Sequence, residues 1–250
     1  MKIYEIIGCS RSGHHGILNW IIQNMVGFQC NWQFKLNWMS DTDLYILGEA
    51  NHDIPLSLQL LDKEKDKIGT LLVGYEDTPW NYTIFRDDRN YLGPNSLDTK
   101  KKYNFDYKKR IILIRDFYSN LSSRIKSNEK QIFTKWDTGT PHLFDVEENF
   151  IFRWKNQARA CVENKIDFLR FEDWLENKDV REDFLLKTFG LKDVWGIDSV
   201  EGTVSSFGET KHVKNRFDPN KISDKTKDLI RKDNELHYLL GKLGYEYKQI

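Results

Sequence analysis

The sequence predicts a single α/β domain with a mainly parallel central sheet flanked by helices. Three observations carry that prediction. Short apolar, β-branched runs alternate with longer stretches of helical spacing. A glycine-containing turn joins the first run directly to the first helical stretch, as at the ligand-binding edge of open α/β sheets. The length, 250 residues, suits one domain with a sizeable core.

The strand-like runs fall at residues 2–7, 43–47, 70–74, 110–114 and 166–170. A helix is expected over 14–25, with Ile17, Ile21 and Met25 on one side and Leu18 and Ile22 beside them. Residues 119–126 also have helical character. Over 146–164, Phe150, Trp154, Ala158 and Cys161 or Val162 form an apolar stripe with charge on the other face, so its aromatics are read as core. Two further helices are expected, over 180–189 with Gly190 as C-cap and over 223–243 with Gly244 behind it. The stretches 77–108 and 194–220 are polar, aromatic and irregular. They are read as binding loops, the second as a lid or nucleotide-closing loop, with disorder the alternative. The charge runs 63–67 and 100–102 are read as solvated surface.

Lys plus Arg number 38 and Asp plus Glu 38. This balance gives no bulk field to favour nucleic acid or an acidic membrane, so any anion site must be local. Cys9, Cys30 and Cys161 are an odd set without a CxxC pair, which fits reduced thiols in a cytosol; no zinc or other metal site is expected. The N-terminal run lacks the pattern of a signal peptide, and no run of about 18 apolar residues occurs. A cytoplasmic protein without a membrane span is therefore expected.

The segment Gly8-Cys9-Ser10-Arg11-Ser12-Gly13-His14-His15-Gly16 lies between the first strand and the first helix. Free amides and the positive end of the helix dipole make such a turn an anion cradle. Gly8 and Gly13 have the glycine spacing of GxxxxGK[ST], which makes the fold P-loop NTPase-like. Yet His14 and His15 stand where a nucleoside-triphosphatase has Lys and a magnesium-holding Ser or Thr. The cradle is kept while Mg²⁺-dependent ATP or GTP chemistry is disfavoured. A structural turn would also need the glycines, but has no use for Arg11-Ser12.

This loop resembles the 5′-phosphosulfate loop of sulfotransferases, a strand followed by Pro-(Lys/Arg)-Ser-Gly-Thr-Thr. Ser10 stands in place of the proline and the histidines in place of the threonines. Gly16 replaces the adenine-stacking tryptophan of the cytosolic branch, so the chain looks closer to the carbohydrate-modifying or microbial branches. The resemblance implies 3′-phosphoadenosine 5′-phosphosulfate (PAPS) as donor and 3′,5′-bisphosphoadenosine (PAP) as product, with no metal required. It implies that Arg11 contacts the 5′-phosphate and the moving sulfuryl group, and that Ser12, Gly13, His14 and His15 line the loop.

A second strand-to-helix junction runs from Arg110 through Arg115-Asp116-Phe117 to Ser123-Arg124. Ser123, eight positions beyond Arg115, lies about two helical turns on, so both can face one phosphate. This resembles the family's 3′-phosphate motif, with Phe117 replacing a usual proline. A helix capped by Asp116, with Arg115 in a surface salt bridge, is the alternative.

A third segment, Phe168-Leu169-Arg170-Phe171-Glu172-Asp173-Trp174-Leu175, followed by a helix ending Phe189-Gly190-Leu191, resembles the family's Leu-Arg-Tyr-Glu-Asp-Leu element. It implies that Phe171 lies near adenine. Lys214 and Arg216 stand nearest to a late basic segment that closes on the 3′-phosphate; a solvated loop explains them equally well.

The acceptor hydroxyl needs a general base. Glu76, after the 71–75 run, is the first candidate, with Asp77, Glu49 and His52 as alternatives and the loop histidines as competitors. The function expected is sulfuryl transfer to a hydroxyl of a carbohydrate or small molecule. The rivals are a P-loop kinase of a nucleoside or small metabolite and a non-catalytic nucleotide-binding protein.

Overall fold

The computed structural model describes residues 2–9, 12–27, 37–38, 44–47, 66, 68–76, 106–126, 146–197 and 217–250. They build one sheet with helices on both faces. In chain order the elements are β1 (Lys2–Gly8), α1 (His14–Val26), β2 (Asn37–Trp38), β3 (Leu44–Leu47), β4 (Thr70–Glu76) and β5 (Asp106–Ile114). There follow α2 (Phe117–Lys126), α3 (Val146–Val162), β6 (Asp167–Arg170), α4 (Phe171–Glu176), α5 (Lys178–Phe189), a 3-10 turn at Pro219–Lys221, α6 (Asp224–Lys232) and α7 (Asn234–Lys242).

The sheet order is β2-β3-β4-β1-β5-β6. All pairings are parallel except that of β2, which runs antiparallel to β3 at the edge. Parallel strands are covered on both faces, which is why β1, β4 and the second half of β5 are nearly continuous apolar runs. One face, with Tyr4, Ile6, Leu72, Ile111, Leu113 and Leu169, packs against α1, α4 and α5 through Ile17, Ile21, Phe171, Trp174 and Leu185. The other, with Ile112 and Ile114, packs against α2, α3, α6 and α7. The stripe of α3 lies in this second core, with Phe150, Trp154, Ala158 and Cys161 all buried.

Glu5 interrupts the apolar run of β1 and is fully buried. Its carboxylate accepts from Arg110 Nε at 3.1 Å and Nη2 at 2.6 Å, and from the Tyr75 hydroxyl at 2.9 Å. A buried charge is tolerable when it is paired and hydrogen-bonded in this way.

Two expectations need correction. The last apolar pattern forms two helices because Asp233 leaves helical geometry, with φ −86° and ψ 85°, and its carboxylate accepts from Leu236 N at 2.9 Å. That side-chain cap starts a new helix in mid-pattern. β5 begins at Asp106, inside a stretch read as irregular. Ladder bonding to β1 extends the strand there, and Lys109 pairs with Asp167 at 2.8 Å across to β6. The edge strand β2 had no sequence signal. Among the described residues, no helix is long and apolar enough to cross a membrane. Residues 77–105 and 198–216, Cys30 and both charge runs apart from Asp66 lie outside the described residues.

Candidate active site

β1 and β5 are neighbours, with Gly8 in register with Leu113. The chain leaves β1 into α1 on one face of the sheet and leaves β5 into α2 on the other. Adjacent parallel strands whose connections part in this way open a crevice at their carboxyl ends, the usual ligand position in open α/β sheets. Both phosphate loops expected from sequence border this crevice.

At the first loop, Ser12 N donates to Cys9 O at 3.0 Å and Gly13 precedes α1 in the left-handed region, with φ +84°. Gly13 gives α1 no side-chain cap. Its first-turn amides therefore face the loop, as an anion site requires. Ser12 is 0% exposed, and its hydroxyl has no hydrogen-bond partner among the described residues. His14 is buried with its ring over the sheet, where Gly8 and Gly74 leave room: a Cβ on Gly8 would stand 3.2 Å from His14 Cδ2, and one on Gly74 3.4 Å from Cε1. His15 is partly exposed, its ring centroid 5.6 Å from that of His14.

At the second loop, Asp116 caps α2 by accepting from Ser119 N at 2.8 Å. Arg115 is buried, only 4% exposed. Its guanidinium carbon stands 4.5 Å from the centre of the Phe171 ring, a cation–π contact, and its carbonyl accepts from Trp154 Nε1 at 2.9 Å. Ser123 is buried about two turns into α2.

Phe171 joins the two loops. Its ring, 2% exposed, packs against Arg115 on one loop and Gly13 on the other. A Cβ on Gly13 would stand 2.1 Å from Phe171 Cδ2. The residue that the resemblance puts near adenine is thus buried between the two loops. Arg170, just before it, is anchored by paired bonds to Asp173 at 2.6 and 2.7 Å and by one to Leu243 O at 3.0 Å.

Glu172, in the third segment, is a position to which the sequence assigns no role. Its carboxylate accepts from Asp116 N at 3.1 Å and from the Tyr245 hydroxyl at 2.8 Å, tying the second loop to the C-terminal tail. Burial pushes the Glu172 carboxyl above its ordinary value, against the lowering effect of these bonds. The signal available was a carboxylate in the first turn of a short helix beside the motif arginine. Lys248 also reaches this loop, its Nζ 3.4 Å from Asp116 Oδ1 and 4.8 Å from the centre of the Phe217 ring.

Glu76 ends β4 with its backbone in register with Gly8, at the edge of the first loop. Arg11, Glu49, His52, Asp77, Lys214 and Arg216 lie outside the described residues. The structure therefore brings Ser12, Gly13, His14, Phe171 and Arg115 together, with Ser123 farther along α2.

Fold and loops define an open α/β protein with a glycine-containing strand–turn–helix at the switch point of its sheet. Two solved sulfotransferase domains resemble the chain along nearly its whole length. The domain from the curacin biosynthetic pathway is 14% identical with a TM-score of 0.47, covering 99% of this chain and 99% of that one. The domain from the Synechococcus PCC 7002 olefin synthase is 13% identical with a TM-score of 0.42, covering 99% and 96%. No family model matches the chain, and no curated protein matches it.

Proposed function

We propose that the chain is a sulfotransferase, moving a sulfuryl group from PAPS to a hydroxyl of a carbohydrate or small-molecule acceptor and releasing PAP. The observation that carries the reading is the meeting of two motif-bearing loops at one crevice, with Phe171 packed against both Gly13 and Arg115. A turn built only for folding would not need a buried arginine on one loop and, on the other, a buried serine hydroxyl without a hydrogen-bond partner among the described residues.

In this reading Arg11, Ser12 and the amides at the start of α1 hold the 5′-phosphosulfate, with His14 and His15 flanking it. Arg115 and Ser123 hold the 3′-phosphate, and Lys214 and Arg216 close over it within a lid at 194–220. As the acceptor oxygen bonds to sulfur, the bond from sulfur to the bridging phosphate oxygen breaks. PAP leaves with that electron pair, and the acceptor's proton passes to Glu76, with Asp77 and His52 as the alternative bases. The transition state is loose in the family this chain resembles, so alignment and charge stabilisation dominate. Arg11 supplies the charge opposite the leaving oxygen. The positions after Gly13 offer no hydroxyl to hold Mg²⁺, in keeping with a reaction run without metal. The reduced-thiol composition fits a cytoplasmic setting.

The test is single-turnover transfer from saturating PAPS to a panel of sugar and small-molecule hydroxyls. Arg11→Ala should slow transfer about a hundredfold or more while nucleotide affinity falls less. Glu76→Gln should slow transfer with affinity nearly intact. Near-normal transfer in Glu76→Gln with collapse in Asp77→Asn or His52→Gln would move the base to that residue. PAP binding by the wild type without transfer to any acceptor would favour a non-catalytic nucleotide-binding protein.

A further inference from the structure

Asn120 lies in the second turn of α2 and is 0% exposed, and neither its amide nitrogen nor its amide oxygen has a hydrogen-bond partner among the described residues. It lies within the span of the second motif but has none of the roles assigned above. An amide with both ends unsatisfied in the interior is costly, since each buried polar group left unpaired loses its hydration without return.

The two structural uses of α2 lie on other faces. Phe117 packs on Phe150 and Trp154 of α3, with ring centroids 5.4 Å apart in each case, and Leu121 shares that core. Tyr118 packs on Phe217 and Tyr247, and the Ser122 hydroxyl accepts from Asp218 N at 3.1 Å. Asn120 instead shares a face with Ser123, three residues on, where helix geometry sets Cβ atoms about 5–6 Å apart.

We propose that Asn120 is a nucleotide-binding residue that reads the ribose next to the 3′-phosphate. This rests on the nucleotide reading given above. A phosphate only accepts, so it would satisfy the amide nitrogen and leave the oxygen idle. A ribose hydroxyl beside a phosphate answers both ends: the amide donates to a 3′-phosphate oxygen and accepts from the neighbouring 2′-hydroxyl. The ligand class is thus a 3′-phosphorylated ribonucleotide with its 2′-hydroxyl intact, and the deoxy form is selected against.

The experiment titrates wild type and Asn120→Leu with PAP and with its 2′-deoxy analogue, alongside melting of each protein without ligand. Leucine keeps the branched shape with slightly larger ends and removes the unsatisfied atoms, so the ligand-free variant should melt near the wild-type temperature or above. It should bind PAP at least tenfold more weakly. The wild type should prefer PAP to the 2′-deoxy analogue by about tenfold or more, and Asn120→Leu should lose that preference. Wild type that binds PAP and the analogue equally overturns the proposal without recourse to any variant. So does a variant that melts several degrees lower yet keeps PAP affinity, since Asn120 would then serve the fold alone. Failure of the wild type to bind PAP at all would instead refute the nucleotide reading.

Discussion

Gly13→Ala should cost the protein several degrees of melting temperature and most of its nucleotide affinity. A side chain in the left-handed region costs about 1–2 kcal/mol, and forcing a methyl into a filled site adds about 1–3 kcal/mol. At Gly13 both apply, because φ is +84° and the added Cβ would stand 2.1 Å from Phe171. For a chain of this size each kcal/mol moves the melting temperature by about 2–4 °C. Gly27 supplies the control: its φ is +77°, with nothing within 4 Å of the added Cβ. Gly27→Ala should therefore show the backbone cost alone and bind nucleotide normally. The ring that Gly13→Ala displaces also stacks on Arg115, so one methyl group should disturb both loops. Melting curves and PAP titrations of the two variants check this; equal effects would mean that Phe171 does not couple the loops.

Arg115→Ala should weaken PAP binding far more than binding of adenosine 5′-phosphosulfate, which lacks the 3′-phosphate. Truncating one partner of a buried, hydrogen-bonded charge pair costs about 2–5 kcal/mol, or roughly thirtyfold to several thousandfold. Arg115→Lys should recover only part of the loss, because lysine lacks the planar group that stacks on Phe171 and grips phosphate with two bonds. Calorimetry on the folded variants reads the difference. Equal losses for the two nucleotides would take the 3′-phosphate away from Arg115.

The central strands were legible because a parallel strand buried on both faces must be apolar throughout, which marks 2–7, 70–74 and 110–114 even without alternation. The α3 stripe was legible for the matching reason at helical spacing. The first half of β5 was not. Asp106, Lys108 and Lys109 look like loop residues, and only backbone bonding to Lys2 and Ile3 of β1 and cross-strand charge pairing make them strand. The break at Asp233 was hidden because apolar positions recur on both sides of it, and one side-chain cap outweighs the pattern. At the site, the loop positions followed from glycines and charges that are local in sequence. Phe171 as a spacer and Glu172 as a latch depend on partners far along the chain: Glu172 is 56 residues from Asp116 and 73 from Tyr245. Asn120 carried no signal either, since only burial of residues 117–124 of α2 turns an ordinary helix-surface amide into an unsatisfied one.

In the proposed function, the crevice between β1 and β5 binds a 3′-phosphorylated adenosine nucleotide without metal. Thermal melting with PAP in the presence of a chelator, compared with ATP plus Mg²⁺, tests it most directly, because a ligand that binds the folded state raises the melting temperature by mass action. A rise of several degrees is expected with PAP in chelator, near saturation, and little or none with ATP and Mg²⁺. A rise with ATP and Mg²⁺ alone would contradict it and assign the same loops to a kinase.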